Sequence, residues 1–154
     1  MAQTTVKTKL AFGVQGEFYD SSVKRVTPHV LASTAVVGGI AWVDEGGKAY
    51  ATGGATGAKP VGIFVSPKEY TNRGAVNSVT LAMGTGDVAQ VADIGHVIVK
   101  AAGAVKVGDP VFFGASGWAA STGAAGAGAT GIANARFVRV TSATGELAVV
   151  ELNG

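Results

Sequence analysis

From Ala35 onward the chain alternates short apolar runs with glycine-bearing breaks, and no stretch carries the i, i+3, i+4 spacing of a buried helix face. Val36 to Val43 is apolar and rich in β-branched residues, which predicts a strand. Asp44-Glu45-Gly46-Gly47 predicts a turn, and Lys48 to Thr52 the returning strand of a hairpin. Pro60 opens a predicted strand over Val61 to Val65, and short strands follow at Ser78–Met83, Val88–Ala92 and Gly95–Lys100. Val107-Gly108-Asp109-Pro110 predicts a turn into Val111-Phe112-Phe113, and Gly114 to Gly117 a reversal into Trp118-Ala119-Ala120. Ser121 to Gly131 is low-complexity Gly/Ala sequence and predicts a loop. The last predicted strands are Ile132–Thr141 and Glu146–Leu152. The second shows no clearly polar face, so it is expected to be buried on one side by the core and on the other by a neighbouring molecule. Many short strands at near-regular spacing predict an all-β fold, a small barrel or sandwich with Gly-rich loops.

Met1 to Leu31 differs from the rest of the chain. It holds Lys7, Lys9, Lys24 and Arg25, an aromatic pair Phe18-Tyr19, and neither a helical nor a strand period. Residues 1–31 are therefore expected to form an extended N-terminal arm or cap on a β domain spanning residues 32–154, with Pro28 biasing Thr27 toward extended backbone. No apolar run follows the N-terminal lysines, so a secretory signal is not expected. Two long stretches lack charge: Val26 to Val43, the better membrane candidate, contains Pro28, His29, Gly38 and Gly39, which argues against a spanning helix, and Pro110 to Ala135 is Gly/Ala/Ser/Thr-rich rather than strongly apolar.

A weak repeat relates two segments offset by 70 positions. Gly38, Trp42, Gly47, Ala49, Thr52 and Gly53 align with Gly108, Phe112, Gly117, Ala119, Thr122 and Gly123. A pseudo-twofold barrel built of related hairpins and a chance likeness between glycine-rich hairpins both account for it.

Composition sharpens the picture. The chain has 154 residues, enough for one domain, with 47% hydrophobic and only 14% charged residues, whereas ordinary soluble domains carry about 25% charged. Either the surface is made of Ala, Gly, Ser and Thr, or a partner covers much of it, and strands apolar on both faces favour the partner. The net charge of +2 comes from scattered basic residues without a stripe, so no nucleic-acid footprint is expected. With no cysteine, disulfides and thiolate metal sites are excluded.

Candidate chemistry fails on context. Gly126 to Gly131 matches GxGxxG, but a dinucleotide loop needs a strand before it and a helix after it. The two histidines, His29 and His96, lack a second ligand at metal spacing, and His96 reads as a surface or interface residue. Asp44, Glu45, Asp87 and Asp109 sit in predicted turns, and Ser116 lacks the spacing of a nucleophile elbow. No enzyme activity, metal or cofactor is expected. Trp42, Trp118, Phe112 and Phe113 are expected in the core, with a sugar platform, and so a carbohydrate-binding module, as the alternative.

The segment Ala11-Phe12-Gly13-Val14-Gln15-Gly16-Glu17-Phe18-Tyr19-Asp20-Ser21-Ser22, with Arg25-Val26 and Val30-Leu31-Ala32-Ser33, resembles the start of tailed-bacteriophage capsid cement (decoration) proteins. Gly38-Gly39-Ile40-Ala41-Trp42, Gly62-Ile63 and Val107 to Val111 continue the likeness over nearly the whole chain, with Val23 where the family pattern suggests proline. The resemblance implies a barrel-like subunit in the virion, on the capsid exterior. Its partners would be the major capsid protein and itself, as a homo-oligomer with a trimer favoured over a dimer, and it would bridge capsomers without catalytic residues. Contacts are expected from Lys7, Lys9, Phe18, Tyr19, Lys24 and Arg25, and from Lys68, Tyr70 and Arg73 in the polar loop after Ser66. Another virion part, such as a tail-tube or head-completion protein, is the second alternative.

Overall fold

The computed structural model describes residues 13–53, 57–66 and 82–154. Its strands are β1 (Arg25–Val30), β2 (Ala35–Val36), β3 (Ile40–Val43), β4 (Ala49–Tyr50), β5 (Lys59–Val65), β6 (Ala82–Met83), β7 (Val88–Lys100), β8 (Pro110–Gly114), β9 (Gly117–Ala119), β10 (Thr130–Phe137) and β11 (Leu147–Asn153), with one helical turn, α1 (Thr122–Ala125). The fold is all-β, as the glycine-punctuated apolar runs predict. The main sheet runs β4-β3-β5-β7-β11-β10-β8-β9, β1 pairs with β7, and β2 and β6 form a separate ribbon.

The strand β7 organises the sheet. Its first half pairs antiparallel with β1 and β5, and its second half with β11. Alternation along these strands feeds two cores. Ile63, Val65, Ala92, Val97, Val99, Ala148, Val150 and Leu152 enter a large cluster with Trp118 and Phe137. Phe64, Ala89 and Val91 point to the opposite face and join Leu31, Val37 and Met83. Ile98 and Val149, cross-strand partners that face away from the large cluster, are also buried. The double burial expected for the last strand is thus achieved inside one chain, and no neighbouring molecule is needed to cover it.

Several boundaries differ from expectation. The apolar run Val36 to Val43 is broken into β2 and β3 by a turn, where Gly38 takes φ +85° and Gln15 packs so close that a side chain at 38 would collide with it. Val88–Ala92 and Gly95–Lys100 are one continuous strand of 13 residues, because Gly95 at φ +130° stays within the ladder instead of ending it. Residues 25–30, expected within an extended N-terminal arm or cap, form a strand of the sheet, since β7 supplies a partner that local pattern does not reveal. The Gly/Ala stretch after Ala120 holds one helical turn capped by Ser121, whose Oγ accepts the Ala124 N–H, and β10 starts at Thr130 inside the expected loop. Of the strand expected at Ser78–Met83, residues 78–81 lie outside the described residues.

The repeated segments are both hairpins, β3–β4 and β8–β9, and they occupy the two ends of the sheet path. Curling brings those ends together. The Trp118 Nε1–H of β9 donates to the Gly38 carbonyl just before β3, at 2.6 Å, and the indole is 1% exposed. Its ring packs against Phe113 with centroids 4.7 Å apart. In Trp118→Phe the Gly38 carbonyl would remain buried without its donor, so urea melts are expected to show a loss of about 1–3 kcal/mol. Unchanged stability would contradict a closing role for this bond.

Candidate functional site

The segment from Gly13 to Lys24 has little regular structure of its own and is held to β7 by backbone bonds. Gly16 N–H donates to the Ile98 carbonyl, Ile98 N–H to Glu17, and Tyr19 N–H to His96, at 2.8, 2.9 and 2.8 Å. On the far side, Ser66 N–H donates to Gly16 and the Gln15 side-chain amide to Val37. The Phe18 ring lies half-buried against the large core, with the Lys24 ammonium 4.7 Å from its centroid. Gly95 makes this packing possible. A Cβ there would stand 3.0 Å from Phe18 and 3.2 Å from the Lys24 stem, on a backbone that L side chains rarely adopt.

Beyond Phe18 the chain forms a surface loop with apolar residues turned to solvent. Val23 is 83% exposed and Tyr19 44%, and Val14, on the other side of Phe18 in sequence, is also exposed. Arg25 closes the loop through a bidentate pair with Asp93, Nε lying 2.9 Å from both carboxylate oxygens. That bond raises the Arg25 pKa further, so its guanidinium stays charged across the working range.

A polar chain anchors the loop's other end. Ser22 Oγ donates to Asp20 Oδ1 at 2.5 Å, and Asp20 Oδ2 lies 2.6 Å from His96 Nδ1. His96 Nε2 faces Glu151 Oε1 at 4.0 Å, and Arg136 Nε donates to Glu151 Oε2 at 2.5 Å. Strand register brings these side chains together, since His96 pairs with Glu151 and Glu151 with Arg136. The hydrogen bonds from Ser22 and then from His96 hold Asp20 at a pKa of about 2. The group contains Ser, His and Asp, yet Asp20 and Ser22 both approach Nδ1 while Glu151 faces Nε2. A nucleophilic serine needs its base on the ring nitrogen opposite the carboxylate, so the arrangement is a cross-strand ion network and not a hydrolytic triad.

Two other surfaces carry sequence-derived candidates. A cleft of about 520 Å³ between the sheet ends is lined by Ile40, Trp42, Thr52, Phe113 and Thr130 among others. Trp42 is half-buried there and Trp118 is in the core, so the paired-tryptophan sugar platform does not form. The GxGxxG stretch follows α1 and runs into β10, the reverse of the order a dinucleotide loop requires.

Of the expected contact residues, the structure gathers Phe18, Tyr19, Lys24 and Arg25 in one loop region on β7. Lys7, Lys9, Lys68, Tyr70 and Arg73 lie outside the described residues. Sequence reasoning missed Asp20, Ser22 and Glu151 as partners of His96, because Asp20 is 76 positions from it and only strand register aligns them. The exposed Val23 is visible in sequence only as a departure from a family pattern.

A family model described as structural cement protein (E217 gp24/Pam3 gp6) matches residues 2–153. Among solved structures, a chain in the capsid of Myoviridae phage XM1 superposes with a TM-score of 0.67 at 20% identity, over 99% of this chain and 97% of that one. At that identity the likeness is one of fold. No curated protein matches the sequence.

The Asp20 anchor predicts a specific acid response. The folded pKa of about 2 lies below the ordinary 3.8, so the contribution is complete above about pH 4 and is lost as pH falls toward 2. Wild type and Asp20→Asn should differ in urea midpoint at pH 7 and converge near pH 2. A gap that persists or widens in acid would contradict the anchor.

Proposed function

The chain belongs to the structural cement protein family of phages, and from that premise we propose that its loop from Phe18 to Arg25 is the surface that docks on the capsid. The protein is a structural component of the virion that sits on the capsid and stabilises it. The proposed finer picture is a homo-oligomer, a trimer before a dimer, that contacts the major capsid protein on the outer surface and bridges capsomers. The reading includes no catalytic step, cofactor, nucleic acid or membrane.

The observation that carries this reading is the loop itself. Val23 and Tyr19 offer apolar surface to solvent, with Lys24 and Arg25 at its edge, while the backbone beneath is fixed to β7. Contiguous exposed apolar surface marks docking sites, and Tyr19 and Val23 stand four residues apart on one ordered loop. Apolar area removed from water is worth roughly 25 cal/mol per Å² before the cost of association. One loop of this size gives modest affinity, and simultaneous engagement of several loops of an oligomer raises it without new contacts. Lys7 and Lys9 in the arm (residues 1–31), and Lys68, Tyr70 and Arg73 after Ser66, are proposed as further contacts on the same grounds of charge and position in sequence.

Heads prepared without this protein provide the test, by co-sedimentation with the purified chain. The double variant Tyr19→Ala/Val23→Asp is expected to weaken binding by about tenfold or more, as loss of a central apolar contact does. A separate variant lacking Met1 to Leu10 is expected to bind more weakly than the full chain, through loss of the arm's lysines. Binding of the double variant at wild-type strength would reject the loop as the docking surface.

A further inference from the structure

We infer that His96 is a positioning residue for this loop and a proton-operated latch, its protonated ring clamping Asp20 of the loop against Glu151 of β11. The inference rests on the docking reading above and adds a regulation to it.

The geometry fixes the proton placement. Asp20 is ionised across the working range and can only accept, so the 2.6 Å contact requires a proton on His96 Nδ1. The neutral ring satisfies that bond as the Nδ1–H tautomer, and its Nε2 lone pair then faces the Glu151 carboxylate. A second proton, on Nε2, turns that opposition into attraction and gives the 4.0 Å gap a reason to close. Protonation therefore leaves His96 between two carboxylates, one on the loop and one on the sheet.

The surrounding charges allow this. Glu151 also accepts from Arg136 of β10, which fixes its carboxylate in place and weakens its pull on the ring without removing it. Arg25 is engaged by Asp93, and the Lys24 ammonium lies over Phe18. The ring is about a quarter exposed, so solvent protons reach it. Histidine side chains commonly change charge between about pH 5 and 8.

The consequence is a sign. Lower pH within that window tightens the hold on the loop and so presents Tyr19 and Val23 already ordered, which lowers the entropy lost on docking. Higher pH leaves the ring only its Asp20 bond and loosens the loop.

The test compares full-length wild type with His96→Gln and Asp20→Asn at pH 5.5, 7 and 8.5 at constant ionic strength. Two readouts are taken: binding to heads lacking the protein, and hydrogen exchange of the peptide covering Tyr19 to Arg25 in the free chain, corrected for intrinsic exchange. Wild type should bind about threefold more tightly at pH 5.5 than at 8.5, the scale of a partly exposed ion pair, and its loop protection should rise in parallel. Both variants should lose this dependence relative to wild type. The latch is overturned if His96→Gln keeps the wild-type pH dependence, or if wild-type loop protection is flat. Loop protection that follows pH in a wild type that binds heads at no pH would support the latch and reject the docking reading alone.

Discussion

The curl of the sheet is held by the buried bond from the Trp118 indole to the Gly38 carbonyl. The main sheet is an open path whose ends are the hairpins β3–β4 and β8–β9. Left apart, those ends would expose edge strands to other chains. The bond joins residues 80 positions apart, places Trp118 over Phe113, and fills the large core from the side that would otherwise be open. It also fixes the turn at Gly38, against which Gln15 packs, and so helps to seat the segment that leads to the loop.

The same closure explains the composition. Strands β5 and β7 have core on both faces, and β11 is buried on both faces as well. Among the described residues most charges lie at strand ends and in loops, and those within strands occur in matched sets such as Arg25–Asp93 and Arg136–Glu151–His96. A low charged fraction reads at first as a surface awaiting a partner. Much of it instead reflects a curled half-barrel sheet that uses its own chain to cover both sides of its central strands. The exposed apolar residues of the loop region, together with Val107 and Val140 elsewhere on the surface, are what remains for a partner.

The legibility of the fold follows from the range of the forces involved. Apolar runs and Gly turns are local, so the all-β class and most strands are legible directly, including both repeated hairpins. Arg25–Val30 is not, because Pro28 and an exposed pattern hide a strand that exists only through pairing with β7. Gly95 suggests a strand boundary because glycine usually marks one, and the structure uses it instead to admit Phe18 and Lys24. Half of the candidate site is legible as an aromatic pair followed by basic residues. The ionic half is not, since Asp20, His96, Glu151 and Arg136 meet only through strand register and a loop that crosses β7.

The central claim is that a curled, barrel-like sheet presents one ordered loop to the capsid. The most direct measurement is a cryo-EM reconstruction of heads decorated with the wild-type chain. The account predicts barrels clustered in threes on the outer surface, with density for Tyr19 to Arg25 packed against the shell. Barrels with that loop facing solvent, and a different surface against the capsid, would contradict it.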